Sequence, residues 1–326
     1  MAARPLGEFE RIQRFFAPLA APGALGLRDD AAVIQGPDDE QYVLTADAIV
    51  EGVHFLDNDP PAQVAQKLLR VNLSDLAAKG AVPLGYLLVT ALPRARGEAW
   101  LEEFAAGLAA DQASFGIGLL GGDSTATDGP ATLSVTALGR VASGRAVLRS
   151  GARPGDGVYV SATLGDAALG LQALRGELPG IAEEARDFLA GRYRLPQPRL
   201  ALGQRLVGIA HAMMDISDGL VADLGHIAEA SGVGAVIETA LLPLSPAARS
   251  VIAADPLRLS AALSGGDDYE LLFTAAAEVG GALAALADEL GLPLTRIGRI
   301  EAGSGVEVLD HKGEVLPIPV AGYRHF

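Results

Sequence analysis

The sequence predicts an α/β protein of two domains, and three observations support this fold class. The chain has 326 residues, about twice the size of an ordinary domain. Strand-like apolar runs alternate with helical patterns in both halves of the chain. A stretch rich in Ser, Gly, Arg and Pro, residues 143–157, separates the two halves. We therefore place the boundary near residue 148 and predict domains at 1–148 and 149–326.

The first half reads as a layer of strands backed by helices. Its strand patterns lie at 31–34, 42–45, 84–92, 116–120 and 132–140. Its helical patterns lie at 7–18, 62–79 and 98–113. Pro60 and Pro61 open the long central helix and Gly80 closes it, which is the usual asymmetry of helix ends. Gly121, Gly122 and Asp123 are expected to connect two strands, and the order of the stronger elements fits a split βαβ layer.

The second half repeats this alternation and predicts a second α/β layer. Its strand patterns lie at 158–161, 235–238, 271–274 and 297–300. Its helical patterns lie at 166–174, 200–210, 219–231 and 275–290.

Composition excludes several classes of protein. The 25 basic against 40 acidic residues give a net charge of −15, which argues against partners that are nucleic acids or anionic membranes. The absence of cysteine excludes disulfides, Cys-ligated zinc, iron–sulfur clusters and thiol nucleophiles. No apolar run approaches the roughly 18 residues of a membrane span, and charged residues interrupt the N-terminus where a secretory signal would lie. We therefore expect a soluble cytoplasmic protein.

The most informative feature is the placement of the aspartates, most of which flank apolar strand ends. They are Asp29, Asp30, Asp47, Asp75, Asp123, Asp215, Asp218, Asp267 and Asp268. Any one of them alone is explained as a turn or helix-cap residue. If several converge, each pair about 4 Å apart repels by roughly 4 kcal/mol at an effective dielectric near 20, and protons or cations must offset this. Carboxylates without His or Cys partners suit Mg²⁺ or Ca²⁺; because no EF-hand is present, Mg²⁺ shared with phosphates is favoured.

A nucleotide enzyme also needs groups that bind phosphate. The sequence has no P-loop and no protein-kinase motif, and its only lysines are Lys67, Lys79 and Lys312. Phosphate charge would therefore meet Mg²⁺, arginine and backbone N–H groups. The glycine pairs at 121–122 and 265–266 allow the backbone to come close to a ligand.

Seven motifs, in chain order, resemble the thiamine-monophosphate kinase family of the aminoimidazole ribonucleotide synthetase superfamily. They are DDA at 29–31, EGVHF at 51–55, VNLSDLAA at 71–78, GGDS at 121–124, RSGARPGD at 149–156, DISDGL at 215–220 and SGGDDYEL at 264–271. The match is collinear and extends through Gly322 and Tyr323.

This resemblance implies an aminoimidazole-synthetase-like fold of two domains. In that fold the N-terminal sheets of two copies pair in a homodimer, and ATP lies in a cleft between this layer and the C-terminal α/β domain. The implied reaction transfers the γ-phosphoryl of ATP to thiamine monophosphate, with several Mg²⁺ ions. The implied metal ligands are Asp30, Thr45, Asp47, Asp75, Asp123, Asp215 and Asp218. The implied ATP contacts are Gly122, Asp123, Arg149 and Ser217, and the implied substrate contacts are His54, Asp267 and Tyr323.

The chemistry of phosphoryl transfer agrees with these roles, because it needs alignment and charge neutralisation more than covalent catalysis. The acceptor is already an ionised phosphate, so no strong general base is required, and we expect direct in-line transfer without a phosphoenzyme. Tyr323 could stack on the cationic thiazolium, and Asp267 could add a counter-charge.

Three positions depart from the family pattern. Arg28 stands where Gly is usual, Ala46 where a hydroxyl residue is usual, and Asp267 where Glu is usual. Two alternatives therefore stay open: another ATP-using member of the superfamily, and a catalytically silent nucleotide-binding dimer. Metal-dependent release of ADP that requires thiamine monophosphate separates the alternatives.

Overall fold

The computed structural model describes residues 7–323, and its first half contains a five-stranded sheet. The strands are β1 (Ala32–Gln35), β2 (Glu40–Val50), β3 (Val82–Pro93), β4 (Gly118–Thr127) and β5 (Thr132–Ala142). Their order is β1-β2-β5-β3-β4. Strands β3 and β4 pair in parallel, and the other neighbours are antiparallel.

The helices of the first half are α1 (Glu8–Arg11), α2 (Pro61–Ala78) and α3 (Glu98–Phe115). The prediction of one regular helix over 7–18 is wrong, because α1 passes into a π-helical turn at Ile12–Phe16 and a 3₁₀ turn at Ala17–Leu19. Phe15 and Phe16 are exposed, so no packed apolar face holds a regular helix here.

The second half contains a six-stranded sheet. Its strands are β6 (Gly157–Ser161), β7 (Ala212–Asp215), β8 (Gly234–Glu238), β9 (Leu271–Ala275), β10 (Leu294–Glu301) and β11 (Gly305–Leu309). Their order is β11-β8-β10-β6-β9-β7, in which only the β8–β11 pair is parallel. The mixed α/β class and the two-layer plan are therefore confirmed. The boundary near residue 148 falls in the connection between β5 and β6, and it stays a prediction.

The described part of the second half, up to residue 323, also contains seven α-helices. They are α4 (Asp166–Leu174), α5 (Glu183–Arg194), α6 (Leu200–Leu206), α7 (Leu220–Ser231), α8 (Pro246–Ala254), α9 (Ser260–Ser264) and α10 (Gly280–Leu290). The helix predicted at 200–210 ends early, at Leu206, and Gly208 then adopts a φ of +84° that a continuing helix does not allow.

Helix α2 lies between the two sheets and places the site. One hydrophobic core contains Leu69 of α2 together with Leu202 and Phe273 from the second half. Helix α6 lies directly against α2, because a Cβ at Gly203 would be 2.0 Å from the carbonyl oxygen of Ala77. Because of this contact, the polar residues on α2 in the first half of the chain lie close to β7 in the second half.

Gly121, Gly122 and Asp123 lie within β4, so the prediction that they form a connection between strands is wrong. A Cβ at Gly122 would lie 1.8 Å from the carbonyl oxygen of Leu88 on the paired strand, so only glycine fits at this position.

Among the helices of residues 7–323, none has both the length and the apolar character to cross a membrane.

Candidate active site

A cleft of about 790 Å³ is lined by residues from both halves of the chain. It contains all the site residues expected from the sequence except Gly122 and Asp123. Those in the cleft are Asp30, Thr45, Asp47, His54, Asp75, Arg149, Asp215, Ser217, Asp218, Asp267 and Tyr323. The structure therefore brings together residues that are as far as 293 positions apart in the sequence (from Asp30 to Tyr323).

Three aspartates from three different elements converge at one point of this cleft. Asp30 precedes β1, Asp75 lies on α2 and Asp215 ends β7. One carboxylate oxygen of each lies within 4.8 Å of the other two. Thr45 of β2 donates its hydroxyl to Asp75, and the backbone N–H of Asp47 donates to the side-chain oxygen of Asn72 at 3.0 Å. Strand β2 is thus tied to the face of α2 that carries Asp75.

Burial and like charge disfavour ionisation of Asp75, Asp215 and the neighbouring Asp47. Burial, followed by the charges of Asp47, Asp215 and Asp30, raises the pKa of Asp75 well above its usual value. Burial and the charges of Asp30 and Asp47 raise the pKa of Asp215 to about 7. Burial and the charges of Asp30 and Asp218 raise the pKa of Asp47 to about 6. Crowded carboxylate oxygens that hold protons in the absence of a cation form a donor set suited to Mg²⁺.

Two cationic side chains, Lys79 and Arg149, neutralise the negative charge of Asp29 and Asp30. Lys79 is fully buried at the end of α2 and pairs with Asp29 and with Asp30, the latter at 2.6 Å. Arg149 donates from Nε to Asp30 at 2.7 Å, and its backbone N–H donates to Asp29. Burial alone would raise the pKa of Asp30, but Lys79 and Arg149 outweigh burial and lower it. Sequence reasoning missed Lys79, because a lysine at a helix end is ordinary.

A second carboxylate lies behind Asp218. Asp223 of α7 is buried and accepts the backbone N–H groups of Asp218 and Gly219 at 3.2 and 3.0 Å. Burial and the charge of Asp218 raise the pKa of Asp223 well above its usual value. Ligand atoms of Asp218, Asp223 and His226 also lie within 4.8 Å of one another. Sequence reasoning missed Asp223, although its spacing from the DISDGL motif was the available signal.

The three residues expected to contact the substrate also line this cleft. His54 follows β2, and its Nδ1 accepts the backbone N–H of Val50 at 3.1 Å. Asp267 precedes β9 and adopts a φ of +70°. Tyr323 is half exposed, and its backbone N–H donates to the carbonyl oxygen of Asp218 at 2.9 Å.

Gly122 and Asp123 lie apart from this cleft on the exposed strand β4. One chain by itself therefore does not bring them to the other site residues.

Two of the positions that depart from the family pattern have a simple structural setting. Arg28 has an ordinary φ of −121° and pairs at the surface with Glu229, so the backbone at this position does not need glycine. Ala46 is exposed to the cleft on β2.

The raised pKa of Asp215 predicts that the metal-free protein loses stability as the pH rises from about 4 to about 7. The unfolded carboxyl is ionised above about pH 4, whereas the folded one keeps its proton up to a pKa of about 7. The folded chain therefore binds more protons in this window, and its free energy of unfolding falls with pH. Urea unfolding in EDTA measures this fall, which should be smaller in Asp215→Asn; equal slopes for the two proteins would contradict the assignment.

Comparison with known domain families supplies the class of the protein. The model for "AIR synthase related protein, N-terminal domain" matches residues 28–141, and the model for the corresponding C-terminal domain matches residues 153–311. Two sheets that share one acidic cleft, together with these matches, define a two-domain protein of the AIR synthase related class.

Comparison with individual proteins narrows this class. The thiamine-monophosphate kinase of Caulobacter vibrioides is 43% identical over 329 residues, covering 99% of this chain and 92% of that protein. The solved structure "AaThiL complexed with AMPPCP and TMP" is 33% identical with a TM-score of 0.88 and covers all of both chains. The thiamine-monophosphate kinase of Stenotrophomonas maltophilia K279a is 45% identical with a TM-score of 0.79, covering 95% of this chain and 98% of that one. The chain belongs to the thiamine-monophosphate kinase family.

Proposed function

We propose that this protein transfers the γ-phosphoryl group of ATP to thiamine monophosphate, giving ADP and thiamine diphosphate, in the cytoplasm where ATP is available. The observation that carries the proposal is the convergence of Asp30, Asp75 and Asp215, from both halves of the chain, in one cleft. The related AaThiL, whose structure contains AMPPCP and TMP, covers the whole chain and supports the choice of both substrates.

The acidic residues of the cleft would hold several Mg²⁺ ions. Their ligands would be Asp30, Thr45, Asp47, Asp75, Asp123, Asp215 and Asp218. When bound, Mg²⁺ neutralises phosphate charge and orients the phosphate oxygens. The crowding of oxygens and the raised pKa values of Asp75 and Asp215 support this donor set, because a divalent cation would replace the protons that these carboxyls otherwise retain.

The chain's own residues would bind and align the two substrates. ATP would contact Gly122, Asp123, Arg149 and Ser217, and thiamine monophosphate would contact His54, Asp267 and Tyr323. The acceptor phosphate is ionised at neutral pH, so these residues need only align it for direct in-line attack and exclude water. No phosphorylated side chain is part of this proposal.

The proposal includes a homodimer formed through the first sheet. Helices α2 and α3 cover one face of this sheet, whereas Leu84, Leu87 and Val89 of β3 are exposed, as are Leu119 and Leu120 of β4. A second copy would bury this apolar face and the open edge of β4. The same pairing would cover the strand that carries Gly122 and Asp123, which supports a cleft completed by a second chain.

Leu87→Asp should convert the dimer to a monomer. Each dimer would bury two copies of Leu87, so a charge there costs about 2 kcal/mol at each copy. Light scattering across a dilution series measures the change. Leu257→Asp is the matched control, because Leu257 is 83% exposed on a turn of the second half. A natural chain that is monomeric throughout, or a Leu87→Asp protein that stays dimeric, would contradict the pairing.

A coupled assay of ADP release tests the proposed reaction. The natural chain should release ADP only when ATP, Mg²⁺ and thiamine monophosphate are all present. Asp47→Asn should slow turnover, and Asp128→Asn should not, since the Asp128 side chain is 99% exposed at a turn. No ADP release with Mg²⁺ present would favour the silent dimer. ADP release that does not depend on thiamine monophosphate would favour another superfamily member. A rate for Asp47→Asn equal to that of the natural chain would remove Asp47 from the metal site.

A further inference from the structure

Lys67 is a buried lysine whose role the proposed reaction does not explain. It lies on α2, about two turns before Asp75. Its side chain is 2% exposed, so it sits behind the cleft and does not present its charge to solvent. Burying an ammonium group is costly unless its N–H donors find partners. The partners of Lys67 therefore indicate what the residue does.

Lys67 donates to two of the residues expected to contact thiamine monophosphate, His54 and Asp267. Its Nζ donates to the carbonyl oxygen of His54 at 2.9 Å and to Oδ2 of Asp267 at 2.9 Å. The same ammonium lies 3.7 Å from the centre of the Tyr193 ring, within the range of a cation–π contact. One cation thus joins two wall segments that are more than 200 residues apart.

Tyr193 reinforces the His54 side of this arrangement. It is 1% exposed near the end of α5, and its hydroxyl donates to the same carbonyl oxygen of His54 at 3.1 Å. The next residue, Arg194, pairs at 2.6 Å with Asp59, which also accepts the backbone N–H of Leu56. The segment after His54 is therefore fixed to α5 by side-chain contacts.

On the Asp267 side, backbone and side chain are held separately. Asp267 adopts the left-handed region, which is uncommon for residues other than glycine and costs about 1–3 kcal/mol. Its backbone N–H donates to the carbonyl oxygen of Ser217 at 2.8 Å. Lys67 holds only the carboxylate. Loss of Lys67 should therefore release the Asp267 side chain while leaving its backbone in place.

We propose that Lys67, supported by Tyr193, is a positioning residue for thiamine monophosphate: it holds His54 and Asp267 in the arrangement that binds this substrate. The proposal rests on the proposed function, because it takes His54 and Asp267 as substrate contacts. The contacts of Lys67 with His54, Asp267 and Tyr193 do not involve the converging aspartates of the proposed metal site, so its effect should be confined to one substrate.

Steady-state kinetics of Lys67→Met tests this role. The KM for thiamine monophosphate should rise at least about 10-fold, while kcat, the KM for ATP and the Mg²⁺ dependence change by less than about 3-fold, because binding is lost equally in ground and transition states. Lys67→Arg should recover part of the loss. Lys312→Met is the control, since Lys312 is exposed.

Tyr193→Phe provides a milder test that keeps the ring and removes only the hydroxyl. It should raise the same KM by about 3-fold. Lys67→Met combined with Asp267→Asn should raise this KM by less than the product of the two single increases, since both variants remove the Lys67–Asp267 contact, whereas the contact with His54 is lost only with Lys67. An unchanged KM for thiamine monophosphate in Lys67→Met and Tyr193→Phe, or equal damage to both substrates and kcat, would overturn the positioning role alone. A natural chain that does not phosphorylate thiamine monophosphate would overturn the proposed function, and this inference with it.

Discussion

Asp75→Asn is expected to make the metal-free protein more stable and the enzyme nearly inactive. Burial and three neighbouring aspartates raise the pKa of Asp75, so its ionised form is unfavourable without a cation. A neutral amide removes this penalty, which should raise the free energy of unfolding at pH 8 by about 1–2 kcal/mol. Turnover should fall by about 10²–10³-fold, because charge compensation for the reacting phosphates is lost.

Two measurements on the same samples decide this prediction. Urea unfolding in EDTA gives the stability of the metal-free state, and the increase in Tm on adding Mg²⁺ gives the metal response. The natural chain should respond to Mg²⁺ and Asp75→Asn should respond little. Asp128→Asn should match the natural chain in both, since Asp128 lies in solvent. An Asp75→Asn protein that is less stable in EDTA and keeps the Mg²⁺ response would contradict the crowded-carboxylate account.

Lys79→Met is expected to cause the largest loss of stability in the chain's polar network, about 3–5 kcal/mol. Lys79 is fully buried, and its removal takes away the cation paired with Asp29 and one of the two cations paired with Asp30. Asp30 would keep its direct ion pair with Arg149, which alone would then oppose its buried charge. The pKa of Asp30, which these cations lower, should rise in the variant. Chemical unfolding at pH 7 measures the loss of stability.

Lys312→Met serves as the matched control for this large effect. It removes the same ammonium from an exposed position and should change the free energy of unfolding by less than about 0.5 kcal/mol. Stability of Lys79→Met within that same margin would show that Lys79 does not balance the aspartates, and the assignment of Asp30 as an ionised group would fail with it.

The elements with strong local signals could be predicted from the sequence. The central helix was expected at 62–79 and lies at Pro61–Ala78, because prolines at its start and Gly80 after its end are local features. Strands β3 and β5 also agree with the expected 84–92 and 132–140, since β5 (Thr132–Ala142) alternates buried and less buried side chains, whereas β2 extends well beyond the expected 42–45. Most aspartates of the candidate site could be found because they stand beside apolar strand ends.

The features that the sequence did not predict depend on contacts between distant segments. Helix α5 contains mostly polar residues. Its Tyr193 becomes buried only against the His54 segment, and its partly buried Arg192 pairs with Glu270 of the neighbouring loop. Lys67 and Lys79 look like ordinary helical lysines until the loops that carry their aspartate partners are placed in space. The edge strand β4 was partly misread as a connection, because its double glycine is typical of turns yet serves close pairing with β3.

The central claim is that acidic residues from both halves form one cation site, and a double-mutant cycle tests it most directly. Mg²⁺ is titrated calorimetrically, in the presence of AMPPCP, into the natural chain, Asp75→Asn, Asp215→Asn and the double variant. One shared site predicts that each single variant loses most of the same binding event and that the double variant is little worse than either. Losses that simply add, or Mg²⁺ binding unchanged in both single variants, would show that Asp75 and Asp215 do not hold a common cation.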